Sequence, residues 1–119
     1  MYGALDLRQP LGPDPAVGRL VAAYLGGEPA ALPDVARSAS PAALVHAGMP
    51  PFLLIHGAGD VSVSPAQSRS MRDVLRDAGV PVTYLEVPGQ AHGFPMLSHD
   101  PALRASTCTV AAFLDRVLH

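Results

Sequence analysis

The spacing of apolar residues changes several times along the chain, and each change predicts an element. From residue 14 onward Val17, Leu20, Val21 and Tyr24 recur at i, i+3, i+4 and i+7, the period of a helix with one buried face. Asp14 suits the N-cap of that helix, Pro15 its first position, and Gly26-Gly27 its stop. Ahead of it, Tyr2-Gly3-Ala4-Leu5-Asp6-Leu7 reads as the end of a strand running into a loop. Residues 28–51 are rich in Pro, Ala and Ser and hold no sustained period, so they predict a loop with one short helix near Pro33 to Ser38. Then the pattern tightens. Phe52-Leu53-Leu54-Ile55 is an unbroken apolar run between Pro50-Pro51 and His56-Gly57, as in a strand buried on both faces.

A further helix is announced by Ser64-Pro65-Ala66-Gln67, which combines an N-cap serine, a proline at the first position and the glutamine of a capping box. Met71, Val74, Leu75 and Ala78 give it an apolar stripe, Arg69, Arg72, Asp73, Arg76 and Asp77 a wet face, and Gly79 an end. Val82-Thr83-Tyr84-Leu85-Glu86-Val87 is the next strand, broken by Pro88-Gly89. A loop through His92-Gly93-Phe94 leads to a last helix starting at Asp100-Pro101, with Leu103, Val110, Phe113, Leu114 and Val117 available for burial.

Strand, helix, strand at these lengths is a βαβ unit, whose right-handed crossover makes the two strands parallel. The fold class is therefore α/β with an incomplete sheet. One domain is expected, made of a strand end and helix (1–27), a Pro/Ala-rich loop (28–51), the βαβ unit (52–87), and a histidine loop with a closing helix (88–119). Two parallel strands leave an edge of unpaired backbone groups. A larger fold completes them, as the abrupt Met1-Tyr2-Gly3 start suggests, or the chain self-associates through that edge.

Composition narrows the classes of function. The 119 residues are 49% apolar and 15% charged, which excludes a disordered chain and fits one buried core. Eight arginines, no lysine and ten acidic residues leave a formal charge of −2, so nothing favours an electrostatic grip on nucleic acid or an anionic membrane. A single cysteine, Cys108, excludes an internal disulfide framework and reads as a small core residue. No apolar run reaches membrane-spanning length, and the N-terminus lacks the basic-then-apolar order of a signal peptide. The default location is the cytoplasm, unless the true N-terminus, and a signal with it, lies elsewhere.

The loops that follow two parallel neighbouring strands emerge at the same edge of the sheet, where open α/β folds hold their ligands. The first carries Asp60, four residues past His56; the second carries His92, five past Val87. An Asp–His pair there has a clear use: the carboxylate fixes one imidazole tautomer and stabilises the imidazolium, leaving the other nitrogen to take a proton from a nucleophilic hydroxyl. Glycines at 57, 59, 89 and 93 permit the tight turns and close backbone approach required. Plainer readings stand beside this one. Asp60 alone would cap a turn, and His92 alone would be a turn residue. His56 reads as structural, its ring tied to backbone, while His46, His99 and His119 read as solvated. His56, Asp60 and His92 contain the donors of a two-His, one-carboxylate metal site, but at no typical spacing. Phe94, Met96 and Leu97 fit either an acyl pocket or the hydrophobic anchoring of a loop.

The segment from Pro51-Phe52-Leu53-Leu54-Ile55-His56-Gly57-Ala58-Gly59-Asp60 to Val63-Ser64-Pro65-Ala66-Gln67-Ser68 resembles the acid-bearing segment of α/β-hydrolase esterases. Thirty-two residues beyond Asp60, Pro88-Gly89-Gln90-Ala91-His92-Gly93-Phe94 resembles their histidine loop. The likeness is to bacterial carboxylesterases and acetyl or feruloyl esterases, with prolyl-oligopeptidase-type serine peptidases as near relatives. It extends to Tyr2-Gly3-Ala4-Leu5-Asp6-Leu7, similar to the strand end after the nucleophile, and to Ala39-Ser40-Pro41. The resemblance implies the C-terminal part of the α/β-hydrolase fold, Asp60 as triad acid, His92 as general base, small carboxylic esters as substrates, and no metal or organic cofactor. Ala91 stands where a glycine is common. The larger departure is that no serine here has glycines at both −2 and +2, as a Gly-x-Ser-x-Gly nucleophile elbow needs. The eight serines read as caps or loop residues, and the oxyanion-hole segment is missing too. The chain alone is expected to be inactive or nearly so. Two alternatives accompany the esterase reading: a non-catalytic remnant or binding half that needs its N-terminal part, and a serine peptidase of the prolyl-oligopeptidase type.

Overall fold

The structure is a computed structural model that describes residues 3–94 and 101–119. Its centre is a parallel pair of strands, β1 (Phe52–Gly57) and β2 (Val82–Val87), in register from Phe52 opposite Val82 to Gly57 opposite Val87. The helices are α1 (Pro15–Leu25), α2 (Pro33–Ser38), α3 (Pro65–Asp77) and α4 (Pro101–Leu118), and a 3₁₀ turn spans Pro41–Leu44. Alternation along the strands divides the core in two. Leu54 and Tyr84 face α3, in a cluster with Leu5, Ala42, Met71, Leu75 and Val80. Ile55 and Val87 face the other way, packing with Phe94 and with Leu103 of α4. The strands are thus sandwiched between helices, as the predicted βαβ unit requires.

The start of α1 matches its sequence signals: the Asp14 carboxylate accepts the Ala16 N–H, and Gly26 closes the helix with a left-handed φ of 84°. Its buried face does not match. Leu25 is buried and Val21 packs toward Leu7 and Ala36, whereas Leu20 and Tyr24 are 70% and 76% exposed. The side of α1 that packs is rotated away from them, and none of the described residues covers them.

α3 ends as predicted. Val80 N–H bonds the Leu75 carbonyl, Gly79 N–H the Arg76 carbonyl, and Gly79 takes a φ of 71°, while Leu75 and Val80 share one core cluster. Its beginning is different. Ser64 caps through the Ala66 N–H, but Gln67 forms no capping box. The amide is buried and turned inward, where Oε1 accepts the Leu5 and Asp6 N–H groups at 2.9 and 2.8 Å and Nε2 donates to the Asp6 and Pro10 carbonyls. Among the described residues, the N-terminal segment therefore bonds to side chains and to the Ala42 N–H, which the Leu5 carbonyl accepts, and not to a strand. Leu7 N–H goes to Ser40 Oγ, which itself donates to the Ala36 carbonyl. The predicted strand end at residues 2–7 is irregular over its described part.

Two further expectations are corrected. Cys108 is exposed: it lies two residues from buried Ser106 and five from buried Leu103, which puts it on the outer side of α4. Ser68 and Ser106 are fully buried inside α3 and α4 and are neither caps nor loop residues, whereas Ser40, also fully buried, does stand at the N-cap of the 3₁₀ turn. Phe94 is buried and anchors its loop, while Met96, Leu97, His99 and Asp100 lie outside the described residues. His46 and His119 are exposed, as read. No helix among the described residues is long and apolar enough to cross a membrane.

Candidate active site

The loops after β1 and β2 leave the sheet side by side and are stitched through backbone. Ala58 N–H bonds the Val87 carbonyl and Gly59 N–H the Gln90 carbonyl, both at 2.9 Å. Gly57 is glycine because its Cα lies against the Gln90 and Ala91 backbone, where a Cβ would collide with the Gln90 carbonyl. Gly89 and Gly93 take left-handed φ values of 70° and 71° on either side of His92. The turn chemistry of both loops thus fixes where the acid and the imidazole stand.

They stand in contact. His92 Nδ1 is 2.8 Å from Asp60 Oδ2, with the carboxylate fully buried and the His92 ring 43% exposed. A carboxylate accepts only, so Nδ1 carries the proton and Nε2 is the nitrogen suited to take one from a hydroxyl. Asp60 also does the ordinary work of a loop aspartate, its Oδ1 accepting the Ser62 and Val63 N–H groups at 3.0 and 2.9 Å. Burial works against its ionisation. The Val63 N–H, the His92 hydrogen bond and the charges of His92 and His56 outweigh that, holding the carboxyl below the usual aspartate range.

A fourth donor reaches Asp60 that the sequence reading placed elsewhere. His56, completely buried at the end of β1, points Nε2 at Asp60 Oδ2 (3.0 Å) and at the Val63 carbonyl (2.9 Å), and Nδ1 at Ser68 Oγ (2.7 Å). The backbone tie expected of His56 is therefore one of three bonds. Ser68, His56 and Asp60 also make a serine–histidine–carboxylate chain, but one sealed in the core, with the serine on Nδ1 and the acid on Nε2. Its hydroxyl has no route to a substrate. His56, Asp60 and His92 do converge, as hydrogen-bond partners of one carboxylate oxygen. Among the described residues no group of three or more His, Cys, Asp or Glu is arranged to hold a metal ion.

A parallel βαβ unit sandwiched by helices, with both loops at one sheet edge, is part of the α/β-hydrolase fold of esterases, and solved structures agree. A truncated carbohydrate esterase from gut microbiota superposes over 93% of this chain and 40% of its own, with a TM-score of 0.71 at 25% identity. The native Est2 esterase of the planctomycete Thermogutta terrifontis superposes over 96% of this chain and 39% of its own, with a TM-score of 0.68 at 26% identity. The BD-FAE family pattern matches residues 1–75, and the chain belongs to that family. Among curated relatives, esterase LipC of Mycobacterium tuberculosis is 42% identical over 71% of this chain, and esterase LipQ of the same organism 43% identical over 54%. The chain spans 21% of the length of LipC and 15% of that of LipQ.

Proposed function

We propose that this chain supplies the acid and the base of a serine carboxylesterase, with Asp60 orienting His92. The observation that carries the reading is the 2.8 Å bond between buried Asp60 Oδ2 and half-exposed His92 Nδ1 at the sheet edge. A serine hydroxyl outside these 119 residues attacks the acyl carbonyl carbon of a small carboxylic ester while its proton passes to His92 Nε2. Asp60 stabilises the imidazolium. The imidazolium then protonates the departing alkoxide, which leaves as the alcohol, and the serine remains acylated. Water repeats the sequence: its proton goes to Nε2, the acid is released and the serine is regenerated. The names of the esterase relatives support the substrate class.

Turnover of p-nitrophenyl acetate tests this reading, measured for the 119-residue chain and for the chain translated together with the reading frame preceding residue 1. The expected result is hydrolysis only with a segment bearing Gly-x-Ser-x-Gly, and its abolition by His92→Ala. Hydrolysis indifferent to His92→Ala overturns the assignment. Stop codons immediately upstream, with no turnover, would leave a non-catalytic remnant.

A further inference from the structure

We propose that His56 is a positioning residue for the Asp60–His92 pair: it locks the orientation of the Asp60 carboxylate and shares the charge of Oδ2 with His92. This inference rests on the reading of Asp60 and His92 as acid and base. The argument begins with valence. The Val63 carbonyl can only accept, so His56 Nε2 carries a proton and donates it toward both Val63 O and Asp60 Oδ2. The Ser68 hydroxyl can then donate to Nδ1. A ring flip would exchange these nitrogens for C–H groups and break all three bonds inside the core, so the ring is fixed at both ends.

The carboxylate is fixed with it. Its four acceptor directions are filled by Ser62 N–H, Val63 N–H, His56 and His92. Three of these come from the acid's own strand and loop; His92 alone comes from the facing one. A free Asp60 side chain could rotate about χ1 and χ2 and lose His92, and His56 removes that freedom on the Oδ2 side. The charged groups around His56 are Asp60 in its own loop and Glu86, its register partner on β2. Glu86 is held by Arg69 of α3 and by the Tyr84 hydroxyl, which leaves Asp60 as the carboxylate that His56 serves.

Removing the His56 donor frees the Asp60 carboxylate to turn, so the rate of proton transfer falls more than substrate affinity does. In the intact protein at one fixed pH, the low-field proton resonance of His92 Nδ1–H, which reports its hydrogen bond to Asp60, is expected to broaden beyond detection in His56→Leu. In His56→Gln, whose side-chain amide can donate from nearly the position of Nε2, it should stay close to wild type. The same Leu variant is expected to lose about tenfold in kcat with KM little changed, and Gln to recover most of it. A sharp, unshifted His92 resonance in a folded Leu variant overturns the inference. Should that variant not fold, His56→Asn, whose shorter amide cannot reach Oδ2, takes its place: it is expected to lose the resonance that Gln keeps, and an Asn variant that keeps it also overturns the inference. The resonance reports the contact whether or not the protein hydrolyses esters, whereas activity surviving His92→Ala would defeat the functional reading and leave the contact standing.

Discussion

Gly57 lies against the backbone carbonyl of Gln90, so the strand that delivers the acid and the loop that delivers the histidine meet without a side chain between them. The hydrogen bond from Gly59 N–H to the same carbonyl shows how little slack the junction holds. The 2.8 Å Asp60–His92 contact is downstream of that packing.

Gly57→Ala places a methyl group where the Gln90 carbonyl stands. Strand β1 is paired along its length, so the His92 loop must give way. The expected cost is about 1–3 kcal/mol of stability by chemical denaturation, with a fall in His92-dependent activity disproportionate to it. Unchanged stability and activity would mean that the two loops do not touch as described.

The sequence made this junction legible because its signals are local: glycines, short loops and a parallel crossover suffice to place residues 60 and 92 at one edge. What it did not disclose was pairing across long separations. Gln67 looked like a capping residue because Ser64 and Pro65 precede it, yet it bonds segments 57 to 62 residues away. His56 looked structural, and its i,i+4 spacing to Asp60 was the available clue to their bond. Periodicity marked an apolar stripe on α1 but could not say which side would pack, and Leu20 and Tyr24 face outward.

Gln67 is the main polar anchor of the N-terminal segment. Gln67→Met keeps most of its volume but strips the Leu5 and Asp6 N–H groups of their partner in a buried setting. The expected loss is about 2–4 kcal/mol. In Gln67→Glu the carboxylate still accepts both N–H groups but faces two carbonyls with no proton to donate. That variant is expected to regain stability as the pH falls and the carboxyl protonates, seen as a rising denaturation midpoint toward acid.

Arg69 and the Tyr84 hydroxyl hold the Glu86 carboxyl down at about 2, against 4.5 for an ordinary glutamate. A depressed value means the unfolded chain binds the proton first. The stabilisation from Glu86 is therefore complete above about pH 4.5 and disappears as the pH falls toward about 2. Carbon NMR of the Glu86 carboxyl should show this midpoint, and Arg69→Met should move it upward toward the ordinary value. Burial, seconded by the bond to Glu86, pushes the Tyr84 phenol up to about 12, so its ultraviolet titration should begin well above the ordinary tyrosine value of 10.0.

Asp60 and His92 differ sharply in burial, and that difference separates their variants. The His92 ring is half exposed and gives up its bond to Asp60 when truncated, so His92→Ala should cost about 1 kcal/mol of stability. In the complete enzyme it should cost about 10³-fold or more in kcat. Asp60→Ala removes a fully buried carboxylate and strands the Ser62 and Val63 N–H groups and the His56 and His92 rings at once. It should lose activity comparably and about 3–5 kcal/mol besides. The depressed acidity of Asp60 adds a signature: its contribution to stability is present above the ordinary value of 3.8 and lost as the pH falls through the lower folded value. The stability gap between wild type and Asp60→Ala should therefore narrow in acid, while that for His92→Ala stays small near neutral pH. Equal destabilisation by both variants would place the two residues in the same environment, contrary to the structure.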